Sequence, residues 1–403
     1  MQDNLLSPPL QTLIEAQTKI EAWFDEQWKN HRPLFSSSVD LRNAGFKIAP
    51  VDTNLTPAGF NNLSADAHHL CVQAARDFLN SYYPHNQKIL IVAENHTRNK
   101  HYHESLFFLH HILSQAGYAC KIGSFLDTPL TLSLEPGEMT ILPVKRNPHQ
   151  NEIFIENFIP DLILLNNDLS EGIPAILNNL SQPIEPPLHL GWSVRSKTRH
   201  FEFYQQVCEN FCKSVHIDPW HISALFVDCG KINFLEKSGT PWLLEKSIGL
   251  IRAIQEKYTH YALENKPFVV IKADAGTYGM AVMSLSDPNT LLSLNRKQRT
   301  KMSVRKGNMP VDQVIIQEGV YTIDLLDQVV AEPVVYMIGQ QAVGGFYRAH
   351  PLKKHDDNLN TPGMFFKTFA CAHSTPLCYV YSVIARLAQL ASCLERENPP
   401  HAN

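Results

Sequence analysis

The sequence predicts an α/β protein, with an open, mostly parallel sheet in its middle and antiparallel hairpins in its last third. Three observations predict this. Apolar runs alternate with amphipathic helical runs between residues 88 and 167, the order that buries a parallel sheet under crossover helices. From residue 267 onward, β-branched runs follow one another closely: "FVVIKA", "MAVMSL", "QVIIQEG", "EPVVYMI" and "QQAVGGFYRA". That is the pattern of hairpins. At 403 residues the chain exceeds one compact core, so two or three domains, or one α/β unit with insertions, are expected.

A first helix is expected from Pro9 to Trp28, with Leu10, Leu13, Ile20, Trp23 and Phe24 on one face. The polar stretch from Ser36 to Ser64 reads as irregular, and Ser64 then caps a helix through Tyr82. "KILIVA" is a strand, and "YHESLFFLHHILSQAG" is a helix closed by Gly117. "YACKIG", "MTILPV" and "DLILLNN" are further strands. The polar ends "AENHTRN" and "NNDLSEG" fall where open sheets bind ligands. No G-x-G-x-x-G follows any strand, so the dinucleotide fingerprint is absent. "PIEPP" marks a turn, helices follow over 201–216 and 241–264, and a last helix covers Val380 to Glu395. The expected division is 1–85, 86–200 and 201–403.

A formal net charge of −4 implies no strong field toward nucleic acid or membrane. The eight cysteines form no C-x-x-C pair, which argues against zinc ribbons and for reduced thiols in a cytoplasmic protein. The first residues lack the charged and apolar regions of a signal peptide, and no apolar run reaches about 18 residues. Oligomeric state is open, with room for a homo-oligomer.

The chemistry concentrates in "VVIKADAGTYGMAVM". Lys272 ends a strand, and the turn after it carries Gly276, Tyr278 and Gly279. Glycines let backbone N–H groups converge on an anion, and a lysine adds a point charge for phosphate. The plain alternative is a solvated lysine beside a turn. "VIIQEG" then offers Gln317, Glu318 and Gly319 as an edge for adenine, with a carboxylate for its amino group or ribose. Between them, "NRKQRTKMSVRKG" is either a solvated helix face or a basic lid over a triphosphate. Arg348 follows a Gly-Gly strand, and its planar fork suits a phosphoryl group or a carboxylate. Residues 355–363 offer a second lid. Arg42, Arg98, Arg195, Arg199 and Asn61 are candidates for amino-acid substrates, and Lys231, Lys237 and Lys246 compete as a second nucleotide lysine.

On these motifs the last third resembles the ATP-grasp ligases. "VDTNLTPAGFNNLS" is similar to the "EINTISASFGGLAS" run of eukaryotic-type glutathione synthetases, whose acid-x-Asn pair binds magnesium and whose ATP-grasp domain is circularly permuted. The resemblance implies a permuted ATP-grasp-like fold and a metal site at Asp52 and Asn54, with Asp274 standing for the carboxylate that follows the lysine. That carboxylate lies two residues beyond Lys272 here rather than four. Across nearly its whole length the chain resembles the proteobacterial glutamate–cysteine ligases of ATP-grasp architecture. That likeness implies ATP and Mg2+ as cofactors, and glutamate and cysteine as substrates joined through an acyl phosphate. Catalytic roles would fall to Lys272 and Arg348. Glutathione synthesis, another ligation of the same kind, and a non-catalytic nucleotide-binding protein are the alternatives.

Overall fold

The computed structural model describes residues 6–95, 98–147, 149–276, 279–369 and 375–400. At its centre is a six-stranded antiparallel sheet, whose main path runs Ile48–Asn54, Ser36–Asn43, Val329–Ile338, Gln341–Ala349 and Phe365–Phe369. Strands from the front of the chain therefore pair with strands from its rear. The segment expected to be irregular supplies the first two of them. Val39 and Leu41 are fully buried on one face. Ser38, Asp40 and Arg42 point to the other, where they line cavities. Side chains alternate along a strand, and here the polar half faces a cleft instead of solvent.

Four helices cover the Val39 face: Pro8–Glu15, Gln17–Asn30, Lys197–Val215 and Pro376–Glu397. The single N-terminal helix expected is two, because a turn at Ala16 lets Leu13 and Ile20 enter the same core. Pro376–Glu397 is long and apolar enough to cross a membrane by composition, yet 89% of its apolar window is buried inside the protein. It is the central core helix.

Ala65–Tyr82 and Lys100–Gln115 fill the space between the central sheet and a second sheet. Ser64 caps the first of these by accepting from the Ala67 N–H. The second sheet runs Ile184–Glu185, Leu162–Asn166, Lys88–Ala93, Ala119–Ser124 and Gly137–Pro143, all parallel, with Leu130–Leu134 antiparallel at the edge. A third, antiparallel sheet orders Phe226–Lys231, Gln313–Glu318, Val269–Ala273 and Val282–Leu285 against the helix Thr240–His260. The seven described cysteines are all free thiols, and six of them are buried.

One buried acid makes stability depend on pH. Asp324 accepts from Asn43 Nδ2 and from Tyr381 Oη, each at 3.1 Å. Burial outweighs these bonds and pushes its carboxyl up to about 7. The folded chain thus holds a proton that the unfolded chain releases near pH 4, and stability falls as pH rises between those values. Asp324→Asn removes that dependence. Its melting temperature relative to wild type should climb from pH 5 to pH 8, with an upper bound on the order of 4 kcal/mol. A pH-independent difference would show that Asp324 is not the responsible group.

Candidate active site

The strand Val269–Ala273 faces the polar side of the central sheet across a cleft that opens to solvent. Lys272 reaches over it. Its Nζ donates to the Val51 carbonyl at 2.7 Å and to Gln317 Oε1 at 2.7 Å. Burial lowers the lysine to about 8, although Asp52 opposes the shift. On the strand Ile48–Asn54 of the central sheet, Asp52 lies 2.6 Å from Lys197 Nζ, which sits 4.2 Å from the centre of the Trp192 ring. Burial alone would raise Asp52, but Lys197 and Lys272 hold its carboxyl below the ordinary range. The lysine ribbon and the Asp52 strand, more than two hundred residues apart, thus meet around one cleft.

The floor of the cleft is a charge network. Arg348 donates to Glu332 at 2.7 Å and to the two Asp40 oxygens at 3.2 and 3.3 Å. Arg42 Nε lies 2.5 Å from Glu332, and its other nitrogens donate to the carbonyls of His355 and Asp357. Burial raises Asp40 more than Arg348 lowers it. Glu332 would also rise on burial, yet Arg42 and Arg348 keep it low. Arg42 ties the 355–360 segment to the cleft, which Asp356, Asp357, Asn358 and Asn360 line. Gly279, at φ +62°, comes so close to this segment that a Cβ would lie 2.6 Å from the Asn360 carbonyl.

A second cavity opens beside the first, and the two share Arg348 and Asn360. It is lined by Asn54, Asn62, Glu94, Asn166 and Asp168 among others. Glu94 and Asp168 follow the adjacent parallel strands Lys88–Ala93 and Leu162–Asn166, so the polar strand ends do gather at a cavity.

Of the predicted residues, Lys272, Gly276, Gly279, Gln317, Glu318, Arg42, Asp52 and Arg348 border the first cleft, and Asn54 borders the second. Tyr278 lies outside the described residues. Glu318, though it borders the cleft, and the remaining candidates are placed differently. Glu318 turns its carboxylate away to Lys47 at 2.9 Å and to Trp220 and the Leu225 N–H, so it is not offered to a ribose. Gly319 serves packing, since a Cβ there would lie 2.2 Å from the Phe268 ring. Asp274 accepts from the Thr198 N–H and hydroxyl at 2.8 and 2.7 Å, at the start of a helix and away from the cleft. Arg195 is buried between Glu395, His200 and the Thr53 carbonyl. Arg199 binds the Asn398 carbonyl and borders a separate groove. Arg98 is exposed, and Asn61 lies outside both cavities, which take its neighbour Asn62 instead.

Lys231, Lys237 and Lys246 lie outside both cavities as well. The second lysine in the cleft is Lys197, from the basic run that drew attention to Arg195 and Arg199. Asp40 and Glu332 lay outside the candidates as well. The even spacing of Ser38, Asp40 and Arg42 was the available signal for the first.

Among the described residues, no group of three or more His, Cys, Asp or Glu side chains forms a metal cluster. Magnesium asks for less, usually one or two carboxylates plus phosphate oxygens and water. Asp52 and Asn54 share a strand face two residues apart, and the buried Asn54 Oδ1 has no partner. Asp52 borders the first cleft and Asn54 the second, and as hard oxygen donors on one strand face they fit the ion.

A family model described as GshA, glutamate-cysteine ligase, matches residues 11–396. A crystal structure from Methylobacillus flagellatus KT, provisionally named a gamma-glutamylcysteine synthetase, superposes with a TM-score of 0.90 at 43% identity, covering 98% of each chain. D-alanyl-alanine synthetase A from Vibrio cholerae O1 matches 62% of this chain and 68% of its own at 10% identity and a TM-score of 0.28, too distant to bear on the fold. No curated protein sequence matches. The class these findings define is an ATP-dependent ligase. The chain belongs to the glutamate–cysteine ligase family.

Proposed function

We propose that the chain joins the γ-carboxylate of glutamate to the amine of cysteine through γ-glutamyl phosphate, on a circularly permuted ATP-grasp-like core. The observation carrying this reading is the shared wall: a lysine-bearing cleft and a second polar cavity meet at Arg348. Pairing of the front strands 36–54 with the rear strands 329–349 in one sheet supports the permuted order.

ATP lies in the first cleft, with Lys272 and Lys197 toward its phosphates, and residues 86–200 supply the amino-acid platform. Asp52 and Asn54 hold magnesium, which when bound neutralises phosphate charge. A glutamate γ-oxygen attacks the γ-phosphorus and the bond to ADP breaks. The uncharged cysteine amine then attacks the acyl carbon, the C–O bond to phosphate breaks, and phosphate leaves. Arg348 faces the phosphoryl group as it passes between the cavities. The basic segment 295–310 and the 355–360 segment shield the acyl phosphate from water. Such chemistry belongs in the cytoplasm, where cysteine stays reduced.

Phosphate release from ATP-Mg should require glutamate and cysteine together, and omission of either should stop product formation. Turnover with γ-glutamylcysteine and glycine instead would replace this reading with glutathione synthesis. Nucleotide binding without turnover on either pair would remove the catalytic reading.

A further inference from the structure

The basic segment brings one side chain to two carboxylates that line the second cavity. Lys306 Nζ lies 2.7 Å from both Glu94 oxygens and 2.9 Å from Asp168 Oδ2. The two carboxylates come from neighbouring strand ends of the parallel sheet, where such sheets present ligand sites. What they hold here is a primary ammonium. A separate observation points the same way. Asn166 is 1% exposed and lines the same cavity, and while its Nδ2 donates to the Pro57 carbonyl, its Oδ1 has no partner. An ammonium carries three donors, and Glu94, Asp168 and Asn166 present two carboxylates and an amide oxygen as acceptors.

We propose that Glu94, Asp168 and Asn166 receive the α-ammonium of glutamate, and that Lys306 competes with it for the same carboxylates. The inference rests on the ligase reading above. Of the two amino acids, only glutamate keeps a charged nitrogen throughout, because the cysteine nitrogen must lose its proton to attack. A site built from two carboxylates stabilises the charged form and would silence a nucleophilic amine. It therefore suits glutamate, whose γ-carboxylate then extends toward Arg348 on the shared wall. Lys306 links this event to the basic segment that carries it, since substrate and lysine cannot both hold the carboxylates fully.

The test compares the KM for glutamate with the inhibition constant of glutarate, which has both carboxylates and no ammonium, using the full chain with ATP-Mg and cysteine. Glu94→Gln and Asp168→Asn should each raise the KM for glutamate roughly 10- to 100-fold. Glutarate inhibition and the KM for ATP should stay within about threefold of wild type. Lys306→Gln should lower the KM for glutamate severalfold, and this readout stands if a carboxylate variant fails to fold. An unchanged ratio of the glutamate and glutarate constants in the carboxylate variants overturns the proposal. So does a KM that is unchanged or higher in Lys306→Gln. Wild-type turnover without any need for glutamate overturns the ligase reading, and this inference with it.

Discussion

Lys272→Met will weaken ATP binding by roughly 100-fold or more, measured by calorimetry with ATP-Mg in the absence of amino acids. The ammonium has three donors. Val51 O and Gln317 Oε1 take two of them at 2.7 Å each. The third faces a cleft whose other cations, Lys197, Arg42 and Arg348, already lie beside carboxylates. Burial lowers Lys272 to about 8, which means that its charge is poorly compensated before an anion arrives. A phosphate supplies that compensation inside a partly desolvated site. Removing one partner of such a pair costs roughly 2–5 kcal/mol, or about 30- to several-thousandfold in affinity. Methionine matches the length of the stem and removes the ammonium. It also strands the Val51 carbonyl and Gln317 Oε1, so a melting curve must accompany the binding data. A folded Lys272→Met chain that binds ATP within a few-fold of wild type would refute the phosphate role.

The same cleft shows what a sequence can and cannot display. The strand, turn and strand around Lys272 were legible because β-branched residues end at glycines in the left-handed region, Gly276 at φ +117° and Gly279 at φ +62°. The parallel sheet was legible because its strands are apolar runs spaced by helices. The strands Ser36–Asn43 and Ile48–Asn54 were not, since Ser38, Asp40, Arg42 and Asp52 look like loop residues until a cleft is known to face them. Glu332 hid inside the apolar strand Val329–Ile338, where a lone acid gives no hint that two arginines converge on it. Lys197 could not be told from Arg195 and Arg199 because local spacing is blind to partners. Arg195 goes to Glu395, and Lys197 to Asp52. The partner of Asp274 was hidden for the same reason, since Thr198 lies far away along the sequence. Periodicity reports which face a side chain takes, whereas partner choice across long sequence separations is decided only by the tertiary fold.

Arg348→Lys is expected to lower kcat by about 10²- to 10³-fold, while the ATP Kd stays within a few-fold of wild type. Arg348 is 8% exposed and stands on the wall shared by both cavities. Among the described residues it is the one cation that lines both cavities, where on the proposed reading a γ-carboxylate and a γ-phosphate would meet. Its plane is set by Glu332 at 2.7 Å and by Asp40 at 3.2 and 3.3 Å. The longer Asp40 contacts are the ones a phosphoryl oxygen can draw on without breaking the shorter anchor. Lysine keeps the charge but offers a point instead of a fork, so it can satisfy Glu332 or the reacting oxygens but not both. Ground-state nucleotide binding, which on the proposed reading rests on Lys272 and Lys197, should survive, and the loss should fall on the chemical step. Arg348→Met separates structure from catalysis. It leaves Asp40 and Glu332 facing each other without their shared cation, and breaking a buried pair in this way costs roughly 3–5 kcal/mol, visible as a lower melting temperature. If Arg348→Lys instead raises the ATP Kd as steeply as it lowers kcat, the arginine belongs to the nucleotide site alone, and the transfer must be stabilised by other groups on the shared wall.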